Sequence, residues 1–168
     1  MEFPVCSICV KSDLLCPGCE YKLEKGEISE LDVEISRALY GMKDKYKTLR
    51  DISFKRSICK DDFVAIIIKE GKVGGLIGKG GKIIKTLSKR IGKTIRVIED
   101  TKDEKVIAQE LLTPAQVRGI NIVFLPDGKE RFKVRISKDD EKRLPADMKV
   151  LEEILCLLTG KYMEIVPE

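Results

Sequence analysis

The sequence predicts an α+β fold in which two copies of one small helix-and-strand plan follow a short cysteine-rich segment. Residues 28–98 show the order helix, strand, strand, helix, glycine-rich loop, helix, strand. A similar order returns after residue 101, at an offset of 68 to 69 positions. Four of the six cysteines precede both copies. Short apolar segments separated by turn residues at this spacing are typical of small sheets packed by helices.

The composition fits a globular protein and excludes several function classes. Hydrophobic residues make up 43% of the 168 residues, which is enough for real cores. The longest apolar run, residues 63–68, is far shorter than the about 20 residues of a membrane span. No histidine is present, which excludes Ser-His, Cys-His and histidine–metal chemistry. Without an apolar export signal at the N-terminus, we expect a cytoplasmic protein. No paired carboxylates and no metal cluster with an open position stand out, so we expect no enzyme and no small-molecule substrate.

Cysteines define the first predicted domain, residues 1–27. They form two CxxC pairs, Cys6 with Cys9 and Cys16 with Cys19. Two such pairs can place four thiolates tetrahedrally around one Zn²⁺ ion. Two disulfides are the alternative, but a cytoplasmic setting favours the metal. Four thiolates leave no open coordination position, so the pattern predicts one structural zinc ion, without which so short a segment would not fold.

The second predicted domain, residues 28–101, begins with a helix. Its start combines a capping box and a hydrophobic staple, formed by Ser29 with Asp32 and by Ile28 with Val33. Apolar residues then recur with helical spacing as far as position 42. Residues 54–58 and 63–68 are predicted strands, and the second is so apolar that it should be central in its sheet. A further apolar pattern at 83–91 predicts a helix, which Gly92 ends before a strand at 94–98.

The third predicted domain, residues 102–168, repeats this plan. A helix at 106–112 precedes a hairpin, with strands at 117–125 and 131–136. A helix at 145–158, with Pro145 near its start, is ended by Gly160 and followed by a strand at 162–166. Cys59 and Cys156 stand alone in apolar patterns and are predicted to be thiols of the core.

Positive charge is concentrated between Gly71 and Ile98. This region has no acid and eight basic residues: Lys72, Lys79, Lys82, Lys85, Lys89, Arg90, Lys93 and Arg96. The rest of the chain has 24 basic and 28 acidic residues, a net charge of −4. A solvated helix face usually mixes both signs, whereas a local charge of +8 indicates a surface that binds a polyanion.

The glycine loop Gly78-Lys79-Gly80-Gly81 lies in this basic region. Three of its four positions lack a Cβ atom, so a sugar-phosphate backbone can approach the main chain. The next helix would direct its free N–H groups at a phosphate. Because Ile83 follows Gly81-Lys82, the loop is not a Walker A motif. These features predict binding of single-stranded RNA. The predicted contact residues are Ile77, Gly78, Lys79, Gly80, Gly81, Lys82, Ile83, Lys85 and Lys89.

The segment from Leu76 to Ile84, Leu-Ile-Gly-Lys-Gly-Gly-Lys-Ile-Ile, resembles the signature of a KH domain. The helix and strand before it resemble the type II arrangement. Two such units in tandem resemble the KH pair of NusA-type transcription factors, and the overall size resembles the small archaeal NusA-like proteins. The resemblance covers roughly residues 28–166 and implies two tandem type II KH domains. It also implies contact with nascent RNA and RNA polymerase during transcription elongation or termination.

The second KH-like unit departs from this pattern. Its counterpart of the glycine loop, between Ser137 and Met148, contains no glycine and four acidic residues. Glu152 and Glu153 follow where the first unit has lysine. We therefore predict a degenerate unit that keeps the fold and lacks the phosphate-binding loop. Two other functions remain open: a ribosome-associated or RNA-processing accessory factor, and a protein-interaction adaptor built on the cysteine segment and the second unit.

Overall fold

The computed structural model describes residues 1–168 and divides into two compact units. Residues 1–57 and 64–100 form the first unit, and residues 58–63 and 101–168 form the second. Each half of the chain forms a three-stranded sheet packed by helices, which confirms the predicted α+β class. None of the helices has the length and apolar character needed to cross a membrane.

From residue 30 onward, the N-terminal half of the chain follows the predicted element order. Its elements are α1 (Pro17–Glu24), α2 (Glu30–Met42), β1 (Phe54–Lys60), β2 (Phe63–Lys69), α3 (Val73–Ile77), α4 (Lys82–Ile91) and β3 (Thr94–Asp100). Short 3-10 helices occur at Cys9–Lys11, Lys47–Asp51 and Lys79–Gly81. The strand order β1-β2-β3 places β2 at the centre, as predicted, and six of its seven residues are buried.

Helix α2 begins at the predicted capping box. The Ser29 hydroxyl accepts a hydrogen bond from the Asp32 amide (3.1 Å), and the Asp32 carboxylate accepts one from the Ser29 amide (2.9 Å). The same carboxylate also accepts hydrogen bonds from the amide (2.7 Å) and hydroxyl (2.5 Å) of Ser57. Asp32 is buried, so this one side chain both starts the helix and joins it to strand β1.

The core of the first unit lies between α2, the sheet and the pair α3–α4. Its buried side chains include Ile35 and Leu39 of α2, Val64, Ile66 and Ile68 of β2, Leu76 of α3, Ile83 and Leu87 of α4, and Ile95 and Val97 of β3. Alternate residues of β2 face this cluster, as expected for a strand of period two. The core therefore holds the two helices that flank the glycine loop in fixed positions.

The C-terminal half contains α5 (Glu104–Leu112), β4 (Val117–Phe124), β5 (Glu130–Ile136), α6 (Lys138–Glu141), α7 (Met148–Thr159) and β6 (Met163–Pro167). Strand β5 is central, antiparallel to β4 and parallel to β6. Buried residues alternate along β5, at Phe132, Val134 and Ile136. Gly160 ends α7 in a left-handed conformation (φ 71°), as the sequence predicts.

Some predictions about these elements were wrong. Helix α7 begins at Met148, because Asp147 is extended (ψ 141°) and takes the N-cap position, so Pro145 lies outside the helix. Cys59 and Cys156 are exposed and are not core thiols. Each follows a buried neighbour, Ile58 in β1 and Leu155 in α7, and therefore lies on a different side of its element.

Candidate nucleic-acid interface and metal site

The glycine loop adopts backbone angles that favour glycine at three positions. Gly78 has φ 77° and ψ 175°, Gly80 has φ 63° and ψ 20°, and Gly81 has φ 72° and ψ 18°. The Gly81 amide donates a hydrogen bond to the Gly78 carbonyl (3.2 Å) and closes a tight turn. Side chains with a Cβ rarely adopt such angles, so the glycine pattern is required by the backbone itself.

Gly78 and Gly80 differ in their surroundings. A Cβ atom at position 78 would lie 2.6 Å from Cγ1 of Ile83, whereas one at position 80 would meet nothing within 4 Å. Ile83 is buried in the core, so its part in the site is to shape the loop from below. Gly80 leaves an open approach to the main chain, as a ligand backbone would require.

Helix α4 follows its N-cap residue Gly81 without a side-chain cap and without an acidic residue in its first turn. The Lys82 amide donates to the Lys79 carbonyl, so the prediction of free N–H groups is wrong for this first amide. The positive end of the helix dipole still favours an anion at the loop. Lys79 in the loop is exposed, and so are Lys82, Lys85 and Lys89 along the helix. Their spacing places the three helix lysines on one face, which continues the positive surface away from the loop.

One apolar side chain of the predicted site reaches the surface. Ile77, the last residue of α3, is 37% exposed beside Gly78, while Leu76 before it is fully buried. An exposed aliphatic side chain next to a phosphate-binding loop can contact the face of an unstacked base. The structure thus brings the predicted residues together on one surface, except Ile83, which lies beneath it.

Tyr46 lies near this surface and was not anticipated from the sequence. Its hydroxyl is 3.5 Å from the Thr86 hydroxyl of α4, and the Lys45 ammonium lies 5.4 Å from its ring centroid. The hydrogen bond with Thr86 lowers the pKa of Tyr46, and the charges of Lys45 and Lys82 act in the same direction. The only signal in the sequence was an aromatic residue between two lysines, Lys45 and Lys47.

The corresponding segment of the second unit has a different structure. The Ser137 hydroxyl caps the short helix α6 by accepting a hydrogen bond from the Asp140 amide (3.1 Å). The Asp140 carboxylate accepts from the Gln116 amide (3.1 Å) and from Arg143 (3.0 Å). Glu152 accepts a hydrogen bond from the Ile165 amide (2.9 Å). Asp140 and Glu152 thus bind groups of the protein itself, and residues 137–148 contain no glycine loop.

The four N-terminal cysteines converge. All four sulfur atoms, of Cys6, Cys9, Cys16 and Cys19, lie within 4.8 Å of one another. The sulfurs of Cys6 and Cys16 are 3.9 Å apart, well beyond the about 2.05 Å of a disulfide bond. Four thiolates at about 2.3 Å around a tetrahedral metal ion would lie about 3.8 Å from one another. The arrangement is therefore compatible with a site for one metal ion.

Backbone amides support the thiolate form of these cysteines. Each sulfur accepts a hydrogen bond from an amide within the cluster, at 3.0 to 3.5 Å. The Cys9 amide lowers the pKa of the Cys6 thiol to about 6. The Cys19 amide lowers the pKa of Cys16. The Cys16 amide also lowers the pKa of Cys9, but burial and the neighbouring thiols outweigh it and raise that pKa to about 12. A metal ion would stabilise all four as thiolates.

Comparisons with known proteins give partial matches. No family model matches the chain. It is 32% identical over 72 residues to the probable transcription termination protein NusA of Methanocaldococcus jannaschii, across 43% of this chain and 39% of that protein. The similarity to the protein of the same name from Methanococcus vannielii is 31% over 64 residues, across 38% of this chain and 37% of that protein. The chain thus spans less than two fifths of the length of these curated relatives.

A solved structure shows the same fold. The crystal structure of APE1850 aligns with a TM-score of 0.54 and 23% identity, over 79% of this chain and 96% of that chain. The chain is therefore similar in part of its sequence to proteins of transcription termination. Its fold is shared with a solved structure over most of its length.

Proposed function

We propose that this protein is a NusA-like transcription elongation or termination factor that holds single-stranded RNA against the loop Gly78–Gly81. The observation that carries the proposal is the coincidence of an open glycine loop, an uncapped helix start and exposed lysines on one surface. The partial similarity to NusA proteins supports it. RNA polymerase is the second partner that we propose, on the basis of the same similarity.

The residues of the site have separate roles in this proposal. A phosphate lies over Gly80, near the positive end of the α4 dipole. Lys79 and Lys82 pair with the same or the next phosphate, and Lys85 and Lys89 extend the positive surface along the strand. A base lies against Ile77. Ile83 acts only by holding the loop in shape.

The remaining parts of the chain are structural in this proposal. Residues 28–101 and 102–168 are two tandem type II KH domains, of which the second lacks the RNA-binding loop. Residues 1–27 hold one Zn²⁺ ion through Cys6, Cys9, Cys16 and Cys19. When bound, the ion would cross-link four positions of the chain through their cysteine sulfurs, and its role would be structural. We propose no enzymatic activity.

The direct test changes Lys79 and Gly80 together to Asp. Two new carboxylates at the loop should repel phosphate and lower affinity for a fluorescent single-stranded oligonucleotide on the order of a hundredfold. The matched control changes Lys138 and Lys142 to Asp in the corresponding segment of the second unit. Fluorescence anisotropy measures binding, and circular dichroism checks that both variants are folded. Unchanged affinity of the loop variant would contradict the proposal.

The alternative, a ribosome-associated or RNA-processing accessory factor, makes a different prediction. Crosslinking of the protein to RNA in cells, followed by sequencing, should enrich nascent transcripts if the protein acts in transcription. Enrichment of ribosomal RNA would instead favour the accessory role. The double Asp variant is the control, because crosslinks that depend on the glycine loop should disappear in it.

A further inference from the structure

A cavity on the first unit has an apolar and mainly acidic lining, whereas the glycine loop lies in a basic region. It has a volume of about 390 Å³ and lies beside α1 and the first turns of α2. Its apolar lining comes from Leu15, Leu23 and Val33, and its charged lining from Asp13, Glu30, Glu34 and Arg37. A pocket with an apolar surface and a few charged groups is suited to one aliphatic side chain and its polar neighbours.

The charge of the cavity selects against RNA. Three carboxylates and one guanidinium line it, whereas the region around the glycine loop has eight basic residues and no acid. Asp13, Glu30 and Glu34 are all exposed at the surface of the protein. Carboxylates at the mouth of an apolar pocket repel phosphate and attract ammonium or guanidinium groups. A ligand that fits this cavity therefore carries an aliphatic group next to a positively charged group.

Arg37 is the one basic residue of the lining, and it is bound to the protein itself. Its Nε donates to the Cys9 carbonyl (3.3 Å), which fixes the guanidinium against the cysteine segment. Its Nη2 is buried, so a ligand in the cavity does not reach that nitrogen. The charge that a ligand meets therefore comes mainly from the exposed Asp13, Glu30 and Glu34.

One exposed apolar side chain adjoins the cavity lining in the sequence. Leu14, between the lining residues Asp13 and Leu15, is 79% exposed. Single exposed apolar residues are common on protein surfaces, so Leu14 adds contact area for a peptide and does not define the site.

We propose that this cavity docks a peptide segment of a protein partner, in which an aliphatic residue is followed by lysine or arginine. The aliphatic side chain contacts Leu15, Leu23 and Val33. The basic side chains pair with Glu30 and Glu34. This site is separate from the glycine loop, and the proposal does not depend on RNA binding there.

The test uses the metal-loaded full chain and three short capped peptides of equal length. The first has a leucine followed by lysine and arginine, the second has glutamates in place of the basic residues, and the third has serine in place of the leucine. Amide chemical shifts in NMR titrations should change for Leu15, Leu23 and Val33 with the first peptide. Its affinity should exceed that of each other peptide by about tenfold or more.

A charge reversal tests the same contact. Glu34→Lys should lower affinity for the basic peptide about tenfold, while Glu27→Lys, at an exposed position that does not line the cavity, should leave it unchanged. Equal affinities for the three peptides would overturn the proposal, and so would the absence of shifts at the cavity. A single-stranded RNA oligonucleotide that shifts the cavity amides would overturn it as well.

Discussion

Gly78 and Ile83 fit against each other so closely that a Cβ atom at position 78 would lie 2.6 Å from Ile83 Cγ1. Ile83 is buried with Leu76 and Leu87, so it has no room to move away. Gly78 also has φ 77°, which side chains with a Cβ rarely adopt. Glycine is therefore required at this position for two reasons, and the loop owes its shape to the core beneath it.

Replacing Gly78 and Gly80 separately should distinguish these two reasons. Gly78→Ala combines a strained φ with the contact at Ile83 and should lower the free energy of unfolding by about 3 kcal/mol. Gly80→Ala has open space and should lower it by only about 1 kcal/mol, from the positive φ alone. Urea denaturation followed by circular dichroism measures both. Equal losses would show that the contact with Ile83 does not constrain the loop.

Local sequence rules predicted the elements around this loop well. The capping box at Ser29, the apolar strand β2 and the left-handed stop at Gly92 each follow from a few neighbouring residues. Tyr46 could not be placed in this way, because its position beside Thr86 depends on how α2 packs against α4. Local patterns thus predicted the loop itself, and tertiary packing decided what surrounds it.

Elements with weak local signals were missed. Helix α1 has almost no amphipathic pattern, and it begins where the Cys16 sulfur accepts a hydrogen bond from the Cys19 amide. Helix α6 has only four residues and is started by Ser137. The cavity beside α1 could not be predicted from the sequence either. It joins residues from the cysteine segment and from α2, such as Leu15 and Val33, which only the folded chain brings together.

The buried Asp32 should be among the most important polar residues of the first unit. Asp32→Ala removes the capping box and leaves the Ser57 amide without its partner, and should lower the free energy of unfolding by about 3 kcal/mol. Ser29→Ala removes only the hydroxyl that caps α2 and should cost about 1 kcal/mol. Thermal and urea denaturation compare the two variants. Similar losses would mean that the contact with Ser57 contributes nothing.

Metal removal should act first on the N-terminal segment. Its small core includes Val5, Cys9, Val10, Cys19, Ile28 and Val33, and two of these are proposed metal ligands. A chelator should release one zinc ion per chain and broaden the NMR signals of residues 1–27, while signals of the central strand β2 persist. Cys16→Ser should have the same effect as the chelator.

The exposed Cys59 provides the control for the metal site. Cys59→Ser should bind as much zinc as the unaltered protein, because its sulfur lies outside the cluster. Elemental analysis of the purified variants measures the metal content. Full zinc content in the Cys16→Ser variant would contradict the four-cysteine site.

Acid should weaken the second unit through Asp140. The hydrogen bond from the Gln116 amide, with others from Ser137 and Arg143, holds the pKa of Asp140 below its usual range. A carboxyl with a lowered folded pKa stabilises the protein above the unfolded value of about 3.9, and this contribution is lost as the pH falls through the folded value. In the Asp140→Asn variant the free energy of unfolding should therefore fall less steeply with pH below about pH 4. The Asp139→Asn variant, changed at an exposed position, should behave like the unaltered protein. Amide hydrogen exchange in β5, measured against pH, distinguishes the two.

Salt should weaken RNA binding to a degree set by the lysines of α4. Each lysine–phosphate contact releases counterions, so the logarithm of affinity falls with the logarithm of salt concentration, by about 0.7 per contact for a single strand. Lys82→Ala and Lys85→Ala should each reduce that slope by about 0.7. Lys129→Ala, at an exposed turn position of the second unit, should leave it unchanged. Slopes that are the same in all three variants would mean that RNA does not follow α4 away from the glycine loop.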